Sequence, residues 1–224
     1  MPYTEHRSTR LVRMFMAQPW QGCDPMKARF LFVGLDANYP KNVETTLPEL
    51  FDYLNNGVQF WKDGDEGVHH PFLLSRFQGR SGKRYHKRFA EIRFKPVHAE
   101  LVSFVELLHL PTEAGELIVE DLSQEHLFFL RDVFDKGDAK YIFVCMGVTE
   151  LLRQADRKWR TAWFQWARQL PQEVDGELEV LRKQDGHTIY RMYHFSVRFP
   201  RHVERLNAQI EQIRQIVEST ADAT

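Results

Sequence analysis

Apolar residues along the chain fall into short runs that stop at turn-forming residues. Ala28–Val33 (ARFLFV) stops at Gly34, and Glu100–Leu108 (ELVSFVELL) stops before Pro111. Ala139–Met146 (AKYIFVCM) stops at Gly147, and Thr188–Tyr193 (TIYRMY) stops at His194. The first and third are nearly continuous, the pattern of strands buried on both faces of a parallel sheet. Patterns of helical period occupy Leu47–Asn55, His86–Phe94, Gln124–Phe134, Thr149–Arg168 and Arg201–Val217. Strands alternating with helices predict a three-layer α/β/α fold around a mostly parallel four-stranded sheet. Gln184-Asp185-Gly186 separates Leu178–Leu181 from the last run, and Asp-Gly there predicts a hairpin. The last sheet strand is therefore expected to have an antiparallel partner.

Composition narrows the class. The 224 residues, set against ~150 per domain, point to one large domain spanning 1–224, and no repeat or linker breaks the chain. The 43% apolar and 27% charged residues are ordinary for a folded protein and exclude a fibre or a disordered tail. No run of apolar residues is long enough to span a membrane, and the first residues, MPYTEHRSTRLVR, are too polar for a secretory leader. Cys23 and Cys145 are the only cysteines, too few for a disulfide framework or a four-thiolate site. A cytoplasmic protein is expected. His69, His70 and His86 have no cysteine or carboxylate at ligand spacing, so no metal and no cofactor is assigned.

The net charge of −1 hides an uneven distribution. Arg76, Arg80, Lys83, Arg84, Lys87, Arg88, Arg93 and Lys95 fall in one stretch opposed only by Glu91. From Glu113 to Asp138 the balance reverses. Such a basic stretch is either a solvated face or a surface for phosphates. Trp159, Trp163 and Trp166 recur at helical spacing, which suits a side facing the core or an amphipathic partner face.

Ligands of open parallel sheets bind at the carboxyl ends of the strands. Those ends carry Asp36 and His194, 158 positions apart. Asp36 can orient water or face a developing positive charge; it can equally cap the following turn. His194 can donate a hydrogen bond to a leaving group, or serve as a structural histidine at a strand end. Ser196 can contact a phosphate or simply shape the turn.

These settings resemble the uracil-DNA glycosylase superfamily. Gly34-Leu35-Asp36-Ala37-Asn38 looks like its first motif, Gly-x-Asp or Gly-x-Asn followed by Pro. His194-Phe195-Ser196-Val197 looks like its second, His-Pro-Ser-Pro. Phe104-Val105-Glu106-Leu107-Leu108-His109-Leu110-Pro111-Thr112 is similar in spacing to the second-strand end of the mismatch-specific members. Arg88-Phe89 and Gly147 also resemble positions in those enzymes, and the likeness runs over roughly 28–215. Ala37, Phe195 and Val197 depart from the pattern, each standing where the family has proline.

The resemblance implies roles. Asp36 would position a water and stabilise the sugar cation, and His194 would stabilise the departing base. Gly67 to Phe72 resembles the loop that supplies a stacking aromatic, which makes Phe72 the candidate, although it could be a core phenylalanine. Gly34, Leu35, Asn38 and Tyr39 would line the base pocket. Glu106 lies near the position where some members read the base with an amide; as a carboxylate it only accepts, and it could instead face solvent or pair with an arginine. Arg80, Lys83, Arg84, Lys87 and Arg88 would neutralise DNA phosphates, with Ser196 and Arg198 close to the flipped nucleotide. Arg201 and Arg205 would assist or solvate the last helix.

The sequence therefore predicts a monomeric DNA glycosylase that flips out and removes uracil or another deaminated or damaged base, in base excision repair. No lysine stands in either motif to form a Schiff base, so the enzyme is expected to be monofunctional. The rivals are a catalytically silent nucleic-acid-binding protein on the same fold, and a hydrolase of nucleosides or nucleotides.

Overall fold

The computed structural model describes residues 3–65, 67–77, 82–169 and 176–221. In chain order it contains β1 (Thr4–Glu5), α1 (Thr9–Ala17), β2 (Trp20–Gly22), β3 (Phe30–Gly34), α2 (Val43–Thr46), α3 (Glu49–Asn55) and α4 (Gly57–Asp63). Next come α5 (Lys83–Ala90), β4 (Val102–Glu106), β5 (Thr112–Ala114), α6 (Gln124–Lys136), β6 (Tyr141–Cys145) and α7 (Met146–Lys158). The chain ends with β7 (Glu179–Gln184), β8 (His187–Met192) and α8 (Pro200–Ala221).

The main sheet has the order β2-β4-β3-β6-β8-β7. Its four central strands are parallel, and these are the four apolar runs of the sequence. The sheet nevertheless has six strands, not four. β7 is antiparallel to β8 through a tight turn in which Asp185 and Gly186 both have positive φ, the geometry that Asp-Gly favours. β2 adds an antiparallel edge on β4; at three residues it is too short to show a period.

The pleat sorts the central strands into two chemically different faces. Leu31, Val33, Val105, Ile142, Val144 and Ile189 face one way and pack with residues of α6 and α7. Phe30, Phe32, Phe104 and Phe143 face the other way, toward α5 and α8. Helices thus cover both faces of a mostly parallel sheet. A third cluster joins α1, α2 and α3 to Ala37, Tyr39, Phe72 and Phe77 beyond the end of β3. Among the described residues no helix is long and apolar enough to cross a membrane.

Two helices differ from the sequence pattern. α5 starts and ends earlier than His86–Phe94, and Arg93 reverses the chain with φ 66°. The pattern over Thr149–Arg168 is broken after Lys158. The buried Asp156 carboxylate accepts from the Thr161 hydroxyl at 2.6 Å and from the Trp163 and Phe164 amides at 3.1 Å, which reels the chain back. The three tryptophans therefore share no helix, but all pack on the aliphatic core.

Candidate active site

Beyond the carboxyl ends of β3, β4 and β8 lies a cavity of about 130 Å³. That is well below the ~300–1,000 Å³ of typical drug-sized sites and suits one flat heterocycle. Asp36, Asn38 and Tyr39 reach it from the end of β3, and Glu106 from the end of β4. His194 and Ser196 reach it from the loop after β8, and Phe72 from the stretch before α5. Seven of the residues singled out in the sequence therefore share one wall system.

The strand-end register explains how the first two segments meet. β3 and β4 are paired so that Gly34 lies beside Glu106. The zipper continues past the strands through Leu107 N–H to the Gly34 carbonyl (2.9 Å), Thr112 N–H to the Ala37 carbonyl (2.9 Å) and Tyr39 N–H to the Thr112 carbonyl (3.0 Å). Gly34 stands behind the cavity, where a Cβ would fall 2.1 Å from Glu106 Oε2. Leu35 packs against Gly147 rather than into the cavity.

Asp36 is held by side chains. The Thr112 hydroxyl donates to Asp36 Oδ2, and Asn38 Nδ2 donates to Thr112 Oγ1 at 3.1 Å. Burial raises the Asp36 pKa above the ordinary carboxylate value, and the Thr112 bond opposes that rise by favouring the ion. Glu106 is raised much further, by burial and by the nearby Asp36 carboxyl. Both shifts favour the protonated acid, more strongly at Glu106 than at Asp36. A protonated carboxyl donates as well as accepts, so a protonated Glu106 can do what an amide does and a carboxylate cannot.

His194 is held neutral, with burial pushing its pKa down to about 4. The Ser196 backbone N–H donates to His194 Nδ1 at 3.2 Å, which puts the ring proton on Nε2. The loop is a turn closed by Val197 N–H to the His194 carbonyl at 3.0 Å. A proline at 197 would have no N–H to give. Arg88 Nη1 clamps the same loop, donating to the Phe195 carbonyl at 2.8 Å and the Val197 carbonyl at 2.7 Å. Hydrogen bonds therefore fix the loop that carries His194.

Phe72 is a core phenylalanine, 2% exposed and packed against Tyr39, His70 and Phe77, and it also forms cavity wall. The basic stretch divides. Arg84, Lys87 and Arg198 are exposed. Lys83 donates to the Phe77 carbonyl at 2.6 Å, and Arg88 is the loop clamp. Arg80 lies outside the described residues. Arg205 is not on a solvated face; it is buried and donates to the Tyr193 hydroxyl at 3.0 Å.

Sequence reasoning missed Gln21, Tyr85 and His86, which also line the cavity, and the part Thr112 plays behind Asp36. Gln21 lies on the short edge strand and carried no signal. Tyr85 and His86 sit inside the basic stretch, where the sequence offers Tyr85 only as an interleaved aromatic and His86 only as a metal ligand. Among the described residues no cluster of three His, Cys, Asp or Glu is arranged to hold a metal.

The cavity therefore offers an ionisable carboxylate, a neutral imidazole with its N–H available, and an aromatic wall. Such a set can stabilise a bond that separates into a cation and an anion. No protein-family model matches this chain, and no curated protein matches it.

Proposed function

We propose that the protein is a monofunctional DNA glycosylase that removes a deaminated or damaged base by hydrolysing its N-glycosidic bond. The observation that carries this reading is the meeting of Asp36 and His194 in one heterocycle-sized cavity. Cleavage of an N-glycosidic bond develops positive charge on the sugar and negative charge on the base, as in other glycoside hydrolysis through oxocarbenium-like states. Asp36, ionised, faces the sugar and holds the attacking water. His194, neutral, donates Nε2–H to the departing base without first giving up a proton. Fixed groups aimed at developing charge each contribute about 10²–10³ in rate.

The small cavity admits a base but not a duplex, so the target nucleotide must leave the helix. Phe72 receives its face. Arg84, Lys87 and Arg198, which are exposed, supply phosphate contacts. Phe199, next to Arg198 and 72% exposed, is placed to fill the gap in the stack, a job suited to an apolar wedge. The enzyme acts as a monomer in the cytoplasm.

A second reading is a nucleoside or nucleotide hydrolase, favoured by the internal bonding of Lys83 and Arg88, which leaves fewer cations for DNA. Release of base from oligonucleotides carrying uracil, hypoxanthine, xanthine or thymine opposite guanine tests the first reading. Cleavage that weakens steeply with salt supports it. Cleavage of free nucleosides only, without salt dependence, supports the second. Salt-sensitive binding with no cleavage of any substrate points to a catalytically silent binder.

A further inference from the structure

Three histidines lie packed together behind the cavity, and the glycosylase mechanism uses none of them. His69, His70 and His86 are 2%, 0% and 8% exposed. His70 and His86 stack with ring centroids 3.7 Å apart and planes at 9°. His69 Nε2 and His86 Nδ1 are 3.0 Å apart. Burial lowers the pKa of each, that of His69 to about 3. All three are neutral, so each ring has one N–H and one lone pair.

The proton positions follow from the partners. The Gly67 backbone favours the protonated form of the His69 ring, and with Nε2 turned to His86 the side it favours is Nδ1. With the His69 proton on Nδ1, His86 Nδ1 donates in the His69–His86 bond and His86 Nε2 is left as an acceptor. That nitrogen has no partner among the described residues. It is not sealed in, as the buried and unpartnered His70 Nε2 is, and His86 forms part of the cavity wall. A ring nitrogen that stands at a cavity wall without a partner costs free energy unless something bonds it, so His86 Nε2 points to a polar ligand.

We propose that His86 is a specificity-determining residue: its Nε2 lone pair, fixed in place by the bond to His69, accepts the ring N–H of a base that carries N–H beside C=O. The protonated Glu106 carboxyl on the same cavity donates to the adjacent carbonyl. Uracil and the 6-oxopurines carry that edge. Cytosine and adenine carry a ring nitrogen with no hydrogen and an amino group in its place, so they would present a lone pair to a lone pair and a donor to a donor. The assignment rests on the glycosylase reading for its substrate but on the histidine geometry for the acceptor.

Two measurements separate the two. The first is nitrogen-15 NMR of the histidine rings in the full chain, alone and with the free bases uracil, 3-methyluracil, hypoxanthine and 1-methylhypoxanthine. The expected result is a neutral His86 protonated at Nδ1, whose Nε2 signal moves with uracil or hypoxanthine and not with the N-methylated bases. Protonation at Nε2, an equal response to the methylated bases, or no response to any base overturns the proposal. The second is oligonucleotide cleavage by wild type, His86→Phe and His86→Asn. Wild type should prefer the N–H base over its N-methylated counterpart by about 10–100-fold. His86→Phe should abolish that preference, and His86→Asn, which can present a carbonyl, should restore part of it. An unchanged preference in His86→Phe overturns the role of His86 and leaves the glycosylase standing. A selective NMR response without cleavage of any oligonucleotide keeps the base-reading histidine and removes the glycosylase.

Discussion

Gly34 and Glu106 face each other across neighbouring parallel strands, and a Cβ on Gly34 would come within 2.1 Å of Glu106 Oε2. Glycine at 34 is what lets an acid side chain fold back over the end of β3. The clash falls on the far end of a flexible side chain, so Gly34→Ala should fold with little loss of stability. It should displace the Glu106 carboxyl and lower activity, with the larger effect in KM if Glu106 reads the base. A thermal melt and steady-state kinetics check this; unchanged kinetics in a folded variant would contradict it.

The Thr112 hydroxyl favours the ionised form of Asp36. Thr112→Val removes that donor while keeping the shape, and the Asp36 pKa should rise further. The proposed mechanism needs Asp36 ionised, so activity should climb with pH through its pKa, and the acid limb of the pH profile should move to higher pH in the variant. A limb that stays in place would mean that another group controls it.

The two carboxyls also set the two limbs of the wild-type profile. His194, with its pKa pushed down to about 4, is neutral at neutral pH, and burial moves the Asp36 ionisation above its ordinary value. Glu106 must keep its proton to donate, and its pKa is raised by burial and by Asp36. Activity should therefore fall again on the alkaline side, as two coupled titrations of a pair. Glu106→Gln, which donates without titrating, should remove the alkaline limb.

Stability should be sensitive to acid. His126 and His194 are lowered to about 4 and His69 to about 3, and His70 and His86 are also lowered, all by burial. The unfolded chain binds these protons near pH 6.5, so the stabilisation is complete above that pH and is lost as pH falls toward 4. Each tenfold difference in proton affinity between the folded and unfolded chain is worth about 1.4 kcal/mol, so the combined loss reaches several kcal/mol. Thermal melts between about pH 7 and 4 measure it; a flat Tm would contradict the buried neutral cluster.

Arg88 holds two carbonyls of the His194 loop. Hydrogen bonds to a charged group contribute about 1.5–3 kcal/mol, so Arg88→Ala should cost on the order of 2 kcal/mol. It should lower kcat more than KM, because the loop carries His194. Arg88→Lys should rescue poorly, since an ammonium lacks the planar fork. A variant that only weakens DNA binding, with kcat unchanged, would return Arg88 to the phosphate-contacting group.

The parts of the fold legible in the sequence are those with strong local signals. Phe30–Gly34 and Tyr141–Cys145 are short apolar runs with turn residues after them, and Asp185-Gly186 is local turn chemistry. The edge strand Trp20–Gly22 is defined only by its pairing to β4, a long-range fact that no window contains. The stop of α7 depends on Asp156 capturing amides seven and eight residues ahead, against an unbroken helical pattern. In the site, Asp36 and His194 stand directly after strands and could be found there. His86 and Thr112 could not be assigned roles, because what they do depends on partners 17 and 76 positions away. In the basic stretch the charge can be counted in the sequence, but that Lys83 and Arg88 bond backbone carbonyls cannot be read there.

Single-turnover release of base from labelled oligonucleotides by wild type and Asp36→Asn, side by side, tests the central claim most directly. The expected result is cleavage of at least one deaminated base by wild type, reduced about 10²–10³-fold or more in the variant while oligonucleotide binding is retained. Cleavage unaffected by the substitution, or no cleavage of any base by a folded wild-type protein, would contradict a glycosylase built on Asp36 and His194.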